Sequence, residues 1–258
     1  MKIIVLMKQV ANKDAVLRIG PDEKWINEAD VAQQTNESDG YALEEALRMK
    51  EAKGEGEVVV CSLGPLSAKT VIKDALARGA DRAIHIIVDD SKKLSPYQLA
   101  STIADAIRAE NADLVFSGLQ SDDSSFGQTG VILAELLGIP HATLVIEIDR
   151  SNLGGSVRLK RELESGWYQW FTYQTPALLT IQSGISQIRY ASLKGIMAAK
   201  KKEIAEVTPS IAEFASGQTI EKVYMPLKTK QTQMLGNGDA KAGAAELVEK
   251  LRTDVRAL

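Results

Sequence analysis

Residues 114–137 read LVFSGLQSDDSSFGQTGVILAELL, and no other stretch limits the possible folds so tightly. Leu114-Val115-Phe116 is a short apolar run of the kind that makes a buried strand. Residues 117–126 are small and polar, a loop. From Gly127 onward, Val131, Ile132, Ala134, Leu136 and Leu137 give a helix with an apolar side, stopped by Gly138 and Pro140. Strand, loop and helix make half of a parallel α/β repeat. Such sheets bind ligands beyond the carboxyl ends of their strands. The expected helix opens on Gly127-Gln128-Thr129-Gly130. Free backbone N–H groups and the positive end of the helix dipole favour an anion there. Small side chains let a phosphate approach the backbone, and Thr129 adds a hydroxyl. Capping of the helix by Ser125 would account for the same residues without a ligand.

The same alternation runs through the chain before this point. Strands are expected at residues 2–7, 57–63 and 82–88. Helices are expected at 41–53, with Asn36, Ser38 and Asp39 as candidate caps, and after Ser67, with Val71, Ile72, Ala75 and Leu76 on one side. A third follows Ser95-Pro96, a strong helix start. Residues 15–26, around Gly20-Pro21-Asp22-Glu23, look like a hairpin arm. The pattern predicts an α/β fold: a mostly parallel, doubly wound nucleotide-binding sheet covered on both faces. The strand ends at Leu6, Leu63 and Gly118 then face one crevice. Beyond Pro140, four runs at 143–148, 156–163, 167–173 and 177–181 read as antiparallel additions to the sheet. Trp167, Trp170 and Phe171 read as core or interface aromatics, since no basic residues interleave with them as in a base-stacking platform.

Composition removes several function classes. A net charge of −3 gives no field for nucleic acid. One cysteine, Cys61, excludes an internal disulfide and a cysteine-held iron–sulfur cluster. His85 and His141 have no metal-ligand spacing to another ligand, so neither a metal site nor a catalytic group is expected. No apolar run is long enough to span a membrane. The opening Met1-Lys2-Ile3-Ile4 enters a strand at once, without a targeting segment, so a bacterial cytoplasm is the expected location. Residues 189–202 read RYASLKGIMAAKKK: either a short helix with a solvated lysine end, or a docking element with Leu193 as anchor. The organisation expected is an α/β domain over residues 1–225 and an arm over 226–258 that packs on another subunit. A short amphipathic helix is expected in that arm at 244–255.

Taken together, IIVLMKQV at the start, NESDGYALEEALRMKE, GLQSDDSSFGQTG, and RLKRELESGWYQWFTYQTPALLTI followed by RYASLKGIMAAKKK resemble the β (small) subunit of electron-transfer flavoprotein. The likeness covers nearly the whole chain. It implies a non-enzymatic electron carrier: a heterodimer with a larger α subunit that holds most of the FAD contacts. That FAD would accept electrons from primary dehydrogenases and pass them to a quinone oxidoreductase or another acceptor. The resemblance also implies a buried AMP without a redox role in this chain. By motif position, AMP contact carries to Leu6, Asn36, Asp39 and Leu63, and to Ser121, Asp122, Asp123, Ser124, Ser125, Phe126, Gly127, Gln128, Thr129 and Gly130. Partner docking carries to Leu193, Ile196, Met197 and Lys200. Asp122 and Asp123 would repel phosphate, so they are expected to point at ribose, adenine or solvent. The loop holds no Lys or Arg and no Walker-type Gly-Lys-Ser/Thr, which favours a nucleotide that is held over one that is hydrolysed.

Overall fold

A computed structural model describes residues 1–28, 31–151, 153–209, 219–227 and 232–256. The chain forms two compact units, Met1–Glu221 and Lys222–Leu258. Strands of the first unit are β1 (Lys2–Leu6), β2 (Gln9–Ala11), β3 (Gln33–Thr35), β4 (Glu57–Gly64), β5 (Arg82–Ile87) and β6 (Leu114–Gly118). They continue with β7 (His141–Asp149), β8 (Ser156–Glu162), β9 (Tyr168–Gln174), β10 (Ala177–Ile181) and β11 (Ile204–Val207). Its helices are α1 (Glu37–Lys53), α2 (Lys69–Arg78), α3 (Pro96–Ile107), α4 (Thr129–Leu137) and α5 (Leu193–Ala199).

Among the described residues, nine strands join in the order β11-β5-β4-β1-β6-β10-β7-β8-β9, and β2 pairs with β3 in a small antiparallel ribbon. The sheet from β11 to β7 is parallel. Ile4, Val59 and Val115 turn one way, into a core with Ile103 and Ala104 of α3 and Leu133 of α4. Ile3, Val58 and Leu114 turn the other way, against Leu43 and Leu47 of α1 and Ile72 and Leu76 of α2. Both faces are thus covered, which is why these strands are apolar throughout instead of alternating. The expected doubly wound α/β architecture is present.

The structure corrects several local expectations. The run at 177–181 is not antiparallel. β10 inserts between β6 and β7 and runs parallel to both, while only β7, β8 and β9 form an antiparallel meander. All five residues of β10 are buried, a pattern proper to a central strand, not to an edge hairpin. Helix α1 starts four residues earlier than expected. Asn36 occupies its cap position without a capping side-chain bond, and Ser38 and Asp39 lie inside the helix. Ser67 does not cap α2; its hydroxyl donates to Gln9 Oε1 at 2.8 Å. Ser95 does behave as expected, in a reciprocal capping box with Gln98. The expected hairpin arm is present, its two sides paired through the antiparallel bridge Ile19 to Ile26. Trp167 and Trp170 are exposed, and the cations missing around them in sequence come across the sheet. Arg158 lies over Trp170 and Lys160 over Tyr168.

In the second unit, α6 (Ala240–Lys250) is capped by the Asp239 carboxylate and runs on through Leu251–Val255. Leu247 and Val248 stay exposed on it.

Candidate functional site

Strand β1 sits at the centre of the seven parallel strands, with β4 on one side and β6 on the other. The chain winds outward in both directions from it. The adjoining connections therefore part at its carboxyl end and leave a crevice. A cleft lies there. Twelve of the fourteen residues assigned to AMP line it: Leu6, Asn36, Asp39, Leu63, Ser121, Asp123, Ser124, Phe126, Gly127, Gln128, Thr129 and Gly130. Asp122 and Ser125 do not.

Helix α4 begins at Thr129, two residues later than the pattern suggested, with Gln128 in the cap position and no side-chain capping bond. The alternative in which Ser125 caps this helix fails. Ser125 adopts a left-handed φ of 52°, and its hydroxyl donates to Ser121 O at 3.0 Å. The first N–H groups of α4 therefore lack the side-chain acceptor that usually satisfies one of them. Gly130 lets this end of the helix come close to the sheet. A Cβ there would lie 2.7 Å from Ser117 Oγ and 3.0 Å from Thr180 Cγ2. Ser117 is a cleft residue; its Oγ is buried against Gly130 and has no hydrogen-bond partner among the described residues. An uncapped helix start beside an unsatisfied hydroxyl fits a phosphate oxygen well.

The polar residues of the loop are mostly engaged with the protein itself. Asp122 accepts from Glu37 N–H at 3.1 Å, and its own N–H donates to Asn36 Oδ1 at 2.9 Å. Asn36 and Ser38 donate to Gln120 O at 3.0 and 2.8 Å. Asp123 pairs with Lys8 Nζ at 2.7 Å, and the same ammonium lies 3.4 Å from Ser121 Oγ and Ser124 Oγ. So a cation does reach the loop, from just beyond β1, although the loop contributes none. Asp39 bridges two strand ends: Lys8 N–H donates to it at 2.8 Å and Gly118 N–H at 2.9 Å. Burial pushes the Asp39 carboxyl up to about 6, against the opposing pull of these amides, Asn36 and Lys8. For Asp123, burial raises the pKa, but the Lys8 charge and hydrogen bonds outweigh it and hold the carboxyl below its ordinary value.

The profile described as "Electron transfer flavoprotein domain" matches residues 24–212. "Electron transfer flavoprotein subunit beta" of Methylophilus methylotrophus is 34% identical over 92% of this chain and 93% of its own length. The protein of that name from Bradyrhizobium diazoefficiens is 34% identical over the full length of both. The Homo sapiens protein of that name is 33% identical over 81% of this chain and 82% of its own.

The chain belongs to the electron transfer flavoprotein β-subunit family.

Membership of the electron transfer flavoprotein family gives the chain a part in electron transfer. Helix α5 contributes no residue to the cleft. Leu193 is 84% exposed at the first turn of α5, Met197 62% and Ile196 45%, with Lys200 exposed beside them. Ser192 caps the helix by accepting from Gly195 N–H at 3.0 Å. The approach to it is clamped: Arg189 bonds Glu44 at 2.9 Å and Glu51 at 3.0 Å, and Arg48 donates to Gln187 O at 3.1 Å. Burial alone would raise the Glu44 pKa, but the two arginines prevail and lower it. The lysine end is not wholly solvated. Lys202 Nζ turns inward and donates to Leu76 O at 2.9 Å and to Ala80 O at the end of α2.

Sequence reasoning missed Lys8, Ser117, Trp25 and Lys92 as parts of the cleft wall. Lys8 carried a usable signal, as a lone cation directly after a strand that ends in the crevice. Trp25 and Lys92 carried none, because only the folded chain brings their loops to the cleft.

Proposed function

We propose that this chain is the AMP-holding β subunit of a heterodimeric electron-transfer flavoprotein, working in a bacterial cytoplasm. AMP lies in the cleft with its phosphate on the first N–H groups of α4 and is retained, not consumed. A larger α subunit holds most of the FAD contacts, and residues 226–258 embrace it. FAD supplies the redox chemistry, taking electrons from primary dehydrogenases and releasing them to a quinone oxidoreductase or another acceptor. Leu193 anchors the dehydrogenase, with Ile196, Met197 and Lys200 around it.

The observation that carries the nucleotide reading is the uncapped start of α4 beside the orphan hydroxyl of Ser117. The cations of the cleft argue for retention. Lys8 is paired with Asp123 and Lys92 with Glu28, so neither stands free to neutralise charge that develops in phosphoryl transfer. The docking reading rests on three exposed apolar side chains on one short, clamped helix, since a rigid apolar anchor gives affinity at low entropic cost.

Denaturing the purified complex and identifying the released nucleotides tests the first reading. One AMP and one FAD per complex are expected; two FAD and no AMP, or no adenine compound, would overturn it. Leu193→Ala tests the second. Reduction of the flavin by the native dehydrogenase should slow roughly 30-fold, for an anchor contributing about 2 kcal/mol. AMP and FAD content should not change. Unaltered electron uptake would remove Leu193 from the interface.

A further inference from the structure

One wall of the cleft comes from outside the main sheet. Residues 18–27 fold back on themselves: Gly20 N–H donates to Trp25 O at 2.7 Å, and Asn27 N–H to Arg18 O at 2.7 Å. Trp25, half-buried near the end of this hairpin, lines the cleft. Its indole Nε1–H donates to Glu28 Oε1 at 2.9 Å. The other oxygen of Glu28 accepts from Lys92 Nζ at 3.1 Å. Lys92 belongs to the turn Ser91–Lys93 between β5 and α3 and lines the cleft as well. Glu28 therefore straps the hairpin to the β5–α3 connection and fixes the indole between them.

With Nε1 engaged, the indole has only its apolar ring left to offer a ligand. It shares the lining with Leu6, Leu63, Leu94, Leu99 and Ile103. The polar lining of the same cleft includes Ser117, Gln128 and Thr129 at the start of α4, with Lys8, Asn36, Asp39 and Asp123. The cleft thus carries two chemistries, one suited to a phosphate and one to a flat apolar group. We propose that Trp25 is the aromatic wall on which the base of the bound nucleotide rests, held in place by the Glu28–Lys92 pair. This rests on the AMP reading given above. Every base has a π-face, so stacking tolerates any of them. Trp25 therefore selects for a ligand that carries a base and does not choose among bases.

The test uses the whole complex, loaded with labelled AMP and chased with unlabelled AMP, and ribose 5-phosphate as a competitor that lacks the base. Trp25→Ala should speed AMP release about tenfold, a typical loss for one stacked base. Trp25→Phe should stay within about threefold of the wild type, because a planar ring remains. The affinity for ribose 5-phosphate should be the same in all three. Unchanged AMP release in Trp25→Ala overturns the base wall and leaves the nucleotide reading standing. Equal losses of AMP and ribose 5-phosphate also overturn it, since the damage would then be to the cleft at large. A wild-type complex that binds neither ligand overturns the nucleotide reading, and the base wall with it.

Discussion

The two ends of the parallel sheet are built from the same strands and treat polar groups in opposite ways. At the amino ends, charge is matched atom for atom. Arg82 bonds both Glu57 and Glu110, Lys2 Nζ joins Glu110 at 3.0 Å, and the Lys2 N–H donates to Asp113 at 2.7 Å. Asp81 takes Lys50 and the Val58 N–H together. At the carboxyl ends, Asp39 is buried among amides, Ser117 Oγ lacks a partner among the described residues, and α4 starts without a side-chain cap. Unmet hydrogen-bonding capacity costs stability. The same division sets the pKa values. Arg82, working against burial and helped by Lys2, draws Glu110 down to about 2, whereas burial drives Asp39 up to about 6.

Three changes can break or sharpen this contrast. Thr129→Asp should have the largest effect. A carboxylate at the start of α4 meets the phosphate at close range, and AMP affinity should fall roughly 100-fold or more by equilibrium dialysis. Stability without nucleotide should hold or rise slightly, because an acidic residue suits a helix start. Full AMP occupancy in this variant would remove the helix start from the site. Arg82→Ala, at the closed end, should do the reverse. About 1 kcal/mol of unfolding free energy should be lost in urea titrations, because Lys2 is then the one cation among the described residues left between Glu57 and Glu110. AMP affinity should not move.

The third change concerns pH. In the folded chain Asp39 titrates near 6 instead of its ordinary 3.8. Between those values the folded state keeps a proton that the unfolded chain releases. Its contribution is therefore complete below about 3.8 and lost as pH rises through about 6. Glu110 has the opposite slope: its contribution is present above 4.5 and lost as pH falls toward 2. Asp39→Asn should flatten the stability profile between pH 4 and 6 and leave the acid limb intact. An unchanged slope in that window would mean that Asp39 is not the group responsible.

Much of the open end was legible in sequence, because the loop, the Gln-Thr-Gly and the strand ends carry local signals. Asn36 and Asp39 reach the cleft as well, yet they spend their hydrogen bonds on the loop and the strand ends. The Asp122 carboxylate is turned onto the start of α1, where the Glu37 N–H donates to it. The closed end gave no such signal. Lys2, Glu57, Arg82 and Glu110 are ordinary surface charges when read along the chain, and they become one network only when three connections bring them together.

Local order along the chain determined what the short-range rules reach: which segments are strands, which are helices, and that a small-residue loop stands between a strand and a helix. Those choices depend on apolar period, caps and turn residues within a few positions of one another. Only the tertiary structure decided the rest. β10 runs parallel between β6 and β7 because a strand so largely apolar must be covered on both faces, and that slot lies inside the sheet. Lys8 meets Asp123 across 115 positions of chain, and Trp25 reaches the cleft because Glu28 finds Lys92. Contacts of that kind arise from packing, which no local pattern encodes.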